Sequence, residues 1–312
     1  MIIAMVNDCA YVGETIARYL PEYVIVKHIK RSRSLWDKTM GIAYKLLRVS
    51  ANIYHIHYLL QDCYIALRLG KRPLIGHAHG SDVRVALSHP LLDKVVRYNL
   101  MKCDRILAST PDILNIAKQF REDVEYLPNP VDTKIFYPKP IQKSEKKKVL
   151  IASSLDWDVK GTDIAIKALS RIKSEIDVNI IAYGKDLGKT LKLAKNLDIH
   201  VNILPKVPHE KLNQYYWSSD VVIDQFKLGS LGMVSLEAIA CGRPVITYVS
   251  SEYPEYRDFP LKDLVNEEEI AEAVINADEM LWRKEYEYMV NNHSPEIITS
   301  MVMNIYSSLL FI

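Results

Sequence analysis

The residues best suited to do chemistry in this 312-residue chain lie in one segment, 229–246, which reads GSLGMVSLEAIACGRPVI. The apolar run before it, DVVID (220–224), predicts a buried strand, and the pattern after Gly232 predicts a helix. The first N–H groups of a helix lack partners within the helix and carry positive dipole density. They suit a diphosphate where glycine lets the anion approach. Glu237 lies one turn into that helix, where a carboxylate can accept hydrogen bonds from a ribose diol. A solvated or capping Glu in a core helix is the alternative.

Alternating strand and helix patterns must position this segment. In the first half, apolar runs such as IIAMV (2–6) alternate with helical patterns, and the same rhythm restarts at VLIASS (149–154). The alternation predicts parallel sheets covered by helices on both faces. Between the halves, YPKPIQKSEKKK (137–148) holds two prolines and five lysines without periodicity, which indicates a linker. The sequence therefore predicts two doubly wound α/β domains, with the site in the cleft between them.

Composition and motifs narrow the class of protein. The chain is 49% hydrophobic and 25% charged, which is typical of a globular protein. No apolar run has the length of a membrane span, and the amino terminus lacks the basic region of a signal peptide. The four scattered cysteines predict neither disulfides nor a thiolate metal site, and they fit a reducing cytoplasm. No G-x-G-x-x-G follows a strand and no P-loop pattern occurs, which disfavours dinucleotide redox chemistry and P-loop phosphoryl transfer.

Charge is unevenly distributed although the net charge is only +2. Residues 1–148 hold 24 Lys and Arg against 14 Asp and Glu, a net +10, and the rest of the chain carries −8. A basic first half fits an anionic acceptor or an anionic membrane surface, and simple drift of surface charge is the alternative. Within it, the basic amphipathic stretch 27–50 either lies on anionic lipid or forms a core-facing helix fringed by lysines; the second interpretation is preferred. We expect no nucleic-acid partner, because no reading motif accompanies the patch.

Four segments, in order and at matching spacing, make the chain resemble the retaining glycosyltransferases of family 4, which have the GT-B fold. They are HAHGSDV (77–83), YLPNPVDTKIF (126–136), VKGTDIAIKAL (159–169) and 229–246. Because they lie in both halves, the resemblance covers nearly the whole chain. It implies two facing Rossmann-like domains, an acceptor-side domain over 1–140 and a nucleotide-sugar donor domain over 147–285. It also implies a carboxyl-terminal helix, about 290–312, that packs back on the first domain.

On the donor side, the resemblance assigns roles residue by residue. Lys160 matches the lysine that neutralises the donor diphosphate, and a solvated lysine before a helix is the alternative. Glu237 matches the second Glu of the E-x7-E motif, the ribose ligand. Further matches are the diphosphate-binding helix start Gly232, Met233 and Val234 and the base-reading loop residues Gly184, Lys206 and Val207. An ammonium beside a leaving phosphate lowers the barrier without a metal, so we expect no metal and no cofactor besides the nucleotide-sugar substrate.

In the first half, His79 matches the family's histidine near the transferred sugar and is the second expected catalytic residue. A structural histidine at a strand end is the alternative. Asp82 either orients the acceptor or caps the segment that follows, and His77 is expected on the opposite face of the strand from His79. The acceptor-side turn of the family falls on NDCAYVG (7–13), so the acceptor-side candidates there are Asn7, Asp8 and Gly13.

Two positions depart from the family pattern. The first Glu of E-x7-E, which contacts the donor sugar, falls on Gly229, and the arginine that precedes the K-G segment falls on Ser154. The departures remove one expected contact to the sugar and one of two cations on the diphosphate. Gly229 and its neighbours Ser230 and Leu231 remain the candidates for the donor-sugar site.

The resemblance implies a retaining, metal-independent glycosyltransferase of polysaccharide biosynthesis that moves a sugar from a nucleotide-diphosphate donor to a glycan or lipid-linked acceptor. In this family the acceptor attacks on the face from which the diphosphate departs, and the donor phosphate takes the proton. The expected location is the cytoplasm, with peripheral contact to the inner face of the cell membrane as an option. Two alternatives stay open: a catalytically silent glycosyltransferase-like scaffold subunit, favoured by the two departures, and a GT-B sugar-nucleotide epimerase. Since backbone atoms read the base, the residue types do not separate UDP, GDP and ADP.

Overall fold

The computed structural model describes residues 1–32, 34–141 and 144–310. The chain divides into two compact units, one formed by Met1–Pro130 with the carboxyl-terminal segment from Pro295, the other by Val131–Ser294. The predicted segments 27–50, 137–148 and 290–312 each include residues that lie outside the described ranges. Both units consist of parallel sheet and helices, which confirms the predicted α/β class with two Rossmann-like halves.

The described part of the first unit contains a six-stranded parallel sheet in the order β2-β1-β3-β4-β5-β6. The strands are β1 (Ile2–Val6), β2 (Ile25–Ile29), β3 (Ile53–His57), β4 (Leu74–Ala78), β5 (Arg105–Ala108) and β6 (Glu125–Tyr126). The helices are α1 (Val12–Tyr19), α2 (Ile42–Leu47), α3 (Gln61–Arg68), α4 (Ser81–Arg84), α5 (Leu92–Lys102) and α6 (Pro111–Lys118). A π-helical turn, Asp37–Gly41, leads into α2, and a 3₁₀ turn, Ala86–Ser88, follows α4. Every residue of β3 and β4 is buried, as expected for central parallel strands covered on both faces.

The described part of the second unit contains a five-stranded parallel sheet in the order β11-β10-β7-β8-β9. The strands are β7 (Lys147–Ile151), β8 (Ile176–Ile181), β9 (Val201–Leu204), β10 (Val221–Ile223) and β11 (Val245–Ile246). The helices are α7 (Thr162–Ser170), α8 (Leu187–Asn196), α9 (Leu212–Trp217), α10 (Met233–Ala240), α11 (Glu267–Asn276) and α12 (Glu279–His293). The 3₁₀ turns His209–Lys211 and Pro254–Tyr256 complete these elements.

The last described helix, α13 (Pro295–Leu310), belongs to the first unit, where it packs on α1. Its Tyr306 is buried, and the hydroxyl lies 2.8 Å from Nδ1 of His55 on β3. Among the described residues, no helix combines the length and the hydropathy needed to cross a membrane.

The structure differs from the predicted elements in two places. The pattern around 267–281 predicts one helix, but α11 ends at Asn276 because Ala277 is extended, and α12 begins anew. Asp278 caps α12 by accepting a hydrogen bond from the Leu281 N–H, which is a usual helix start. The pattern VEYLPN predicts a strand over 124–129, but the structure has only the two residues of β6, because two prolines follow closely and proline has no N–H to donate to a ladder.

A fully buried arginine follows α10. The guanidinium of Arg243 donates to backbone carbonyls of Tyr216 and Trp217 at the end of α9, at 3.1 and 2.8 Å. It also donates to the carbonyls of Gly242, at 2.9 Å, and Lys139, at 2.8 Å. Burial lowers the pKa of Arg243. The arginine thereby ties the carboxyl ends of two helices to the segment that enters the unit.

Candidate functional site

The sheet of the second unit changes direction between β7 and β10. The chain proceeds from β7 to β8 and β9 on one side and then returns to β10 and β11 on the other. The carboxyl ends of the two strands at such a point are where open α/β sheets bind ligands. The loop after β7 leads into α7 and the loop after β10 leads into α10. Most of the predicted donor residues therefore lie at this edge.

Lys160 contacts a carboxylate that the sequence analysis did not select. Its Nζ lies 3.1 Å from Oδ1 of Asp224, the first residue after β10. Asp224 is buried, and its Oδ2 accepts a 2.8 Å hydrogen bond from the hydroxyl of Ser235 on α10. The side chain of Lys160 keeps 21% of its surface exposed, so the ammonium is held in place and still faces solvent.

Gly232 caps α10 and lies against this ion pair. A Cβ at Gly232 would lie 2.5 Å from Oδ2 of Asp224 and 3.5 Å from Nζ of Lys160. Its φ of −90° and ψ of 168° suit any residue, so close approach explains the glycine. Gly232, Met233 and Val234 are partly exposed, whereas the rest of α10 is buried. The structure brings the predicted lysine and the predicted helix start together, with the positive end of the helix dipole open to solvent.

Glu237 lies one turn further along α10, and both of its carboxylate oxygens have partners. Oε1 lies 2.6 Å from Nε2 of His209, and Oε2 accepts a 2.9 Å hydrogen bond from the hydroxyl of Tyr216. Only 3% of the Glu237 side chain is exposed, against 13% of the His209 side chain. Burial and the nearby carboxylate raise the pKa of Tyr216. The carboxylate is therefore fixed in place and is no solvated surface acid.

Gly184 allows the loops after β7 and β8 to meet. Its φ is +124°, and a Cβ there would lie 2.4 Å from the backbone N and O of Leu155. Beside it, the Lys206 ammonium lies 5.4 Å from the centroid of the Tyr183 ring, a cation–π distance, and Val207 is partly buried. The predicted base-reading residues therefore belong to loops at the same edge of the sheet, and their contact with a base stays a prediction.

The two departures from the family pattern have different surroundings. Gly229 adopts φ +63°, and a Cβ there would meet Ser250 at 3.1 Å and the Tyr248 ring at 3.2 Å. A glutamate would need both the strained backbone and a shift of its neighbours, so the local structure suits glycine. Ser230 and Leu231 are buried in the same turn. The other departure, Ser154, is partly buried in the loop after β7.

In the first unit, four histidines form a two-by-two array. His55 and His57 lie on β3, and His77 and His79 lie at the end of β4. The expectation that His77 faces away from His79 is wrong, because their ring centroids are 4.1 Å apart and residues two apart in a strand share a face. Nε2 of His79 lies 2.8 Å from Nδ1 of His57. Burial lowers the pKa of His55 and of His79 to about 3, so these imidazoles are neutral.

Asp82 organises the turn that carries His79. Its carboxylate accepts hydrogen bonds from the backbone N–H groups of His79 and Gly80, at 3.1 and 2.8 Å, and of Leu59, at 2.9 Å. Asp82 is fully buried, and burial raises the pKa of its carboxyl while these hydrogen bonds lower it. Of the two roles considered for Asp82, this geometry matches the capping one.

The loop after β1 carries the predicted acceptor-side residues. Asp8 accepts hydrogen bonds from the N–H groups of Gly13, at 2.8 Å, and Glu14, at 3.1 Å, and so satisfies the start of α1. Asn7 donates to the carboxylate of Asp62. Gly13 lies so close to the histidine array that a Cβ would meet a ring nitrogen of His57 at 2.8 Å. A cavity of about 290 Å³ opens beside this loop and has Lys30 and Arg31 among its lining residues.

The basic stretch 27–50 leaves a row of large apolar side chains in solvent. Leu35 is 82% exposed and Met40 66%, while Ile42 and Leu46 of the following helix are buried in the core. Trp36, Tyr44 and Leu47 continue the exposed row. The preferred expectation of a core-facing helix thus accounts for the buried Ile42 and Leu46. It does not account for the exposed apolar side chains.

Two groups of side chains among the described residues bring three potential metal ligands within 4.8 Å of one another. They are His55, His57 and His77, which are buried, and Asp156, Asp158 and Asp186, which follow β7 and β8. The second group is already engaged by lysines: Lys185 pairs with Asp158 and Lys189 with Asp186, both at 2.7 Å. The expectation that no metal is used stays a prediction.

Sequence reasoning missed three residues of the donor-side edge, namely Asp224, His209 and Tyr216. Asp224 had a signal, because a charged residue that ends an apolar strand marks the carboxyl edge of a sheet. His209 and Tyr216 gave none, because their contact with Glu237 joins residues 28 and 21 positions apart.

Comparison with known proteins identifies the family. The profile described as "Glycosyl transferases group 1" matches residues 133–277, and that described as "Glycosyltransferase Family 4" matches residues 10–135. The two matches together span most of both units. The chain belongs to glycosyltransferase family 4, as the four motifs predict.

Curated relatives agree with the family. The chain is 26% identical over 216 residues to the N-acetyl-alpha-D-glucosaminyl L-malate synthase of Bacillus anthracis, a match that covers 64% of this chain and 57% of the relative. It is 25% identical over 222 residues to a GDP-mannose-dependent alpha-(1-6)-phosphatidylinositol monomannoside mannosyltransferase of Mycolicibacterium smegmatis, covering 61% and 56%. The chain thus spans little more than half the length of these relatives.

Solved structures agree with the fold. A sucrose-phosphate synthase from Thermosynechococcus elongatus superposes with a TM-score of 0.77 at 16% identity, covering 99% of each chain. Anabaena Alr3699/HepE, solved in complex with UDP and glucose, superposes with a TM-score of 0.78 at 14% identity, again covering 99% of each chain. This likeness confirms the predicted GT-B fold.

Proposed function

We propose that this chain is a retaining glycosyltransferase that moves a sugar from a nucleoside-diphosphate donor to an acceptor without using a metal ion. The observation that carries the proposal is the convergence of Lys160, Gly232 and Glu237 at one edge of the second unit, around the open amino end of α10. The cation and the free N–H groups at the helix start match a diphosphate. The carboxylate one turn away matches the ribose attached to that diphosphate.

For a retaining enzyme, the state of the carboxylates favours attack on the face from which the diphosphate leaves over a route through a covalent intermediate on a carboxylate. Asp224 is held by Lys160 and Ser235, and Glu237 is held by His209 and Tyr216 and keeps its remaining acceptor positions for the ribose in this proposal. A nucleophilic carboxylate has to face the sugar carbon with a free oxygen, as in the two-carboxylate glycosidases. We therefore propose that Lys160 stabilises the negative charge that develops on the departing diphosphate. The donor phosphate then accepts the proton of the acceptor hydroxyl.

We propose that the acceptor binds to the first unit and that His79 is the catalytic residue there. Its imidazole is neutral and is held by His57, so it can accept or donate a hydrogen bond without carrying charge. The cavity beside Asn7 and Asp8 has acidic and basic side chains in its lining, with Lys30 paired to Glu14, and is the proposed entry for a polyhydroxylated acceptor.

The experiment that tests the proposal measures the melting temperature with UDP, GDP, ADP and their sugar conjugates, in EDTA, for wild type and Glu237→Ala. A ligand at 100 times its Kd stabilises the fold by about 2.7 kcal/mol. At about 2–4 °C per kcal/mol for a unit of this size, that is a rise of about 5–10 °C. We expect one base to give the rise, Glu237→Ala to abolish it, and the exposed control Glu272→Ala to keep it.

The other outcomes point to the alternatives. A panel without any rise contradicts the proposal and favours the silent scaffold subunit. Conversion of a sugar nucleotide in the absence of acceptor favours the epimerase. Hydrolysis or transfer with inverted anomeric configuration, read by NMR of the product, refutes the retaining assignment.

We further propose that the exposed apolar row of the first unit lies on an anionic lipid bilayer and so brings the enzyme to a lipid-linked acceptor. Leu35, Trp36 and Met40 project into solvent at 82%, 64% and 66% exposure, and the same stretch of chain holds the basic residues Lys38 and Arg48. Apolar residues bordered by cations are the combination that anionic membrane surfaces bind.

The test is co-sedimentation with vesicles of phosphatidylcholine alone and with 30% phosphatidylglycerol, at about 50 and 500 mM salt. We expect binding to the anionic vesicles at low salt only, and at least a tenfold loss on replacing Leu35, Trp36 and Met40 with serine. Serine at Leu91 and Met101, which are equally exposed elsewhere on the unit, is the control and should leave binding unchanged. Equal losses in the two variants refute the proposal.

A further inference from the structure

We propose that His209 is a positioning residue, which together with Tyr216 holds the carboxylate of Glu237 in the orientation that receives both ribose hydroxyls of the donor. The inference rests on the proposed function and deepens it, because it concerns a residue that neither the sequence motifs nor the family resemblance selects.

The geometry gives the carboxylate one fixed partner on each oxygen. A carboxylate only accepts hydrogen bonds, so Nε2 of His209 carries the proton that Oε1 receives at 2.6 Å, and the Tyr216 hydroxyl donates to Oε2 at 2.9 Å. The two donors prevent rotation about the last side-chain bond of Glu237. The two oxygens offer about four acceptor positions in all, and two remain after these contacts. A ribose diol has two hydroxyl donors, which equals the capacity left.

Both holders come from one short stretch of chain. His209 begins the 3₁₀ turn that leads into α9, and Tyr216 lies near the end of that helix. The ring of Phe136 lies edge-on to the His209 ring, at 5.1 Å, and packs against Tyr216 at 6.1 Å between centroids. Asn213 anchors α9 by donating to the carbonyl of Ile135 at 2.9 Å. The histidine is therefore supported by its own surroundings and does not depend on a ligand for its position.

The predicted consequence is confined to the ribose hydroxyls. Without His209, Oε1 loses its fixed donor, and the carboxylate samples orientations in which it meets one hydroxyl or none. In the proposed site the diphosphate meets Lys160 and the start of α10, neither of which contacts His209 in the described structure, so we expect diphosphate binding to stay intact. If His209 had a merely structural role, its replacement would instead reduce the affinity for ribonucleotides and dideoxynucleotides alike.

The test measures Kd by titration calorimetry for UDP, GDP and ADP and for their 2′,3′-dideoxy forms. For the base that binds, we expect wild type to prefer the ribonucleotide by tenfold or more, and His209→Ala to reduce this preference below threefold. His209→Gln, whose amide can donate from nearly the same position, should restore most of it. Tyr216→Phe should give an intermediate preference, and the exposed control His200→Ala should keep the wild-type value.

Two results overturn the inference. One is a ribose preference in His209→Ala equal to that of wild type; the other is an equal loss for both nucleotide forms. If wild type binds none of the three nucleotides, the proposed function fails and the inference fails with it. The two failures are distinguished by the wild-type titration alone.

Discussion

Replacing Gly232 with alanine adds one methyl group at the junction of the ion pair and the start of α10. The backbone accepts alanine, because φ −90° and ψ 168° are ordinary extended values. The new Cβ would lie 2.5 Å from Oδ2 of Asp224, whereas ordinary contact begins at 3.4 Å, so the oxygen has to retreat by about 0.9 Å. That oxygen also accepts the hydrogen bond of Ser235, which the movement stretches.

The magnitude follows from these contacts. Overpacking of a buried group typically costs about 1–3 kcal/mol, and alanine is a poorer helix cap than glycine by roughly 0.5–1 kcal/mol. We expect Gly232→Ala to lower the free energy of unfolding by about 1.5–4 kcal/mol, which is a fall in Tm of about 3–16 °C. Because the methyl also lies 3.5 Å from Nζ of Lys160, it excludes a phosphate oxygen from the helix start. The affinity for the bound nucleoside diphosphate should fall tenfold or more, about 1.4 kcal/mol.

The assay pairs urea unfolding with calorimetric titration, and Gly188→Ala is the matched control. Gly188 lies on α8, and among the described residues no atom stands within 4 Å of its would-be Cβ. Its replacement should stabilise the helix by about 0.5–1 kcal/mol and leave nucleotide affinity unchanged. The reasoning is refuted if Gly232→Ala binds the nucleotide as tightly as wild type, because the methyl would then lie away from the diphosphate.

Three further predictions follow from the same structure. Lys160→Ala should weaken a nucleoside diphosphate tenfold or more while leaving the free nucleoside unchanged, measured by calorimetry, because only the diphosphate needs the ammonium. Gly184→Ala should destabilise the protein by more than about 3 kcal/mol in urea unfolding, because its Cβ would lie 2.4 Å from the Leu155 backbone at φ +124°. Stability should fall as pH drops below about 6.5 toward 3, because His55 and His79 have folded-state pKa values near 3 and the unfolded chain binds protons first.

Each of these has its own control. If Lys160→Ala reduced the affinity for the nucleoside as much as the affinity for its diphosphate, the result would contradict a charge-specific role of Lys160. Gly70→Ala shares a positive φ, +68°, but meets no described atom within 4 Å, so it should cost only about 1–2 kcal/mol. In the pH series, melting temperatures of wild type between pH 4.5 and 7.5 give the slope. His200→Gln should keep it because His200 is exposed, and a flat wild-type curve would refute the burial argument.

The sequence predicted the fold where local pattern and tertiary structure agree. The apolar pattern predicts a strand at 201–204 and a helix at 295–310, and both match the structure, as does the helix start at Gly232. The predicted 267–281 helix failed because hydrophobic periodicity continues through Ala277, whereas the backbone turns there and Asp278 starts a new helix. An N-cap residue inside a periodic run was the signal that went unused.

The candidate site was predictable only as far as each residue's role is local. A lysine before a helix and a glycine at a helix start have meaning in the sequence itself. The partner of Lys160, by contrast, comes from a strand 64 residues away, and only pairing of β10 with β7 brings it there. The His77 prediction failed for a simpler reason. Side chains two residues apart in a strand lie on the same face, and the prediction placed His77 and His79 on opposite faces.

The buried Arg243 has a consequence for how distant mutations will behave. It fixes the far end of α10, whose eight residues extend over about 12 Å, while the near end meets the proposed phosphates. A rigid helix transmits tilt along its length, so loosening its anchored end misaligns the N–H groups at the other. Mutational scans for nucleotide affinity should therefore find hits at Arg243 and at the carbonyl-bearing turns around it. A search for tuned affinity can begin there, at the end of the helix opposite the proposed phosphates.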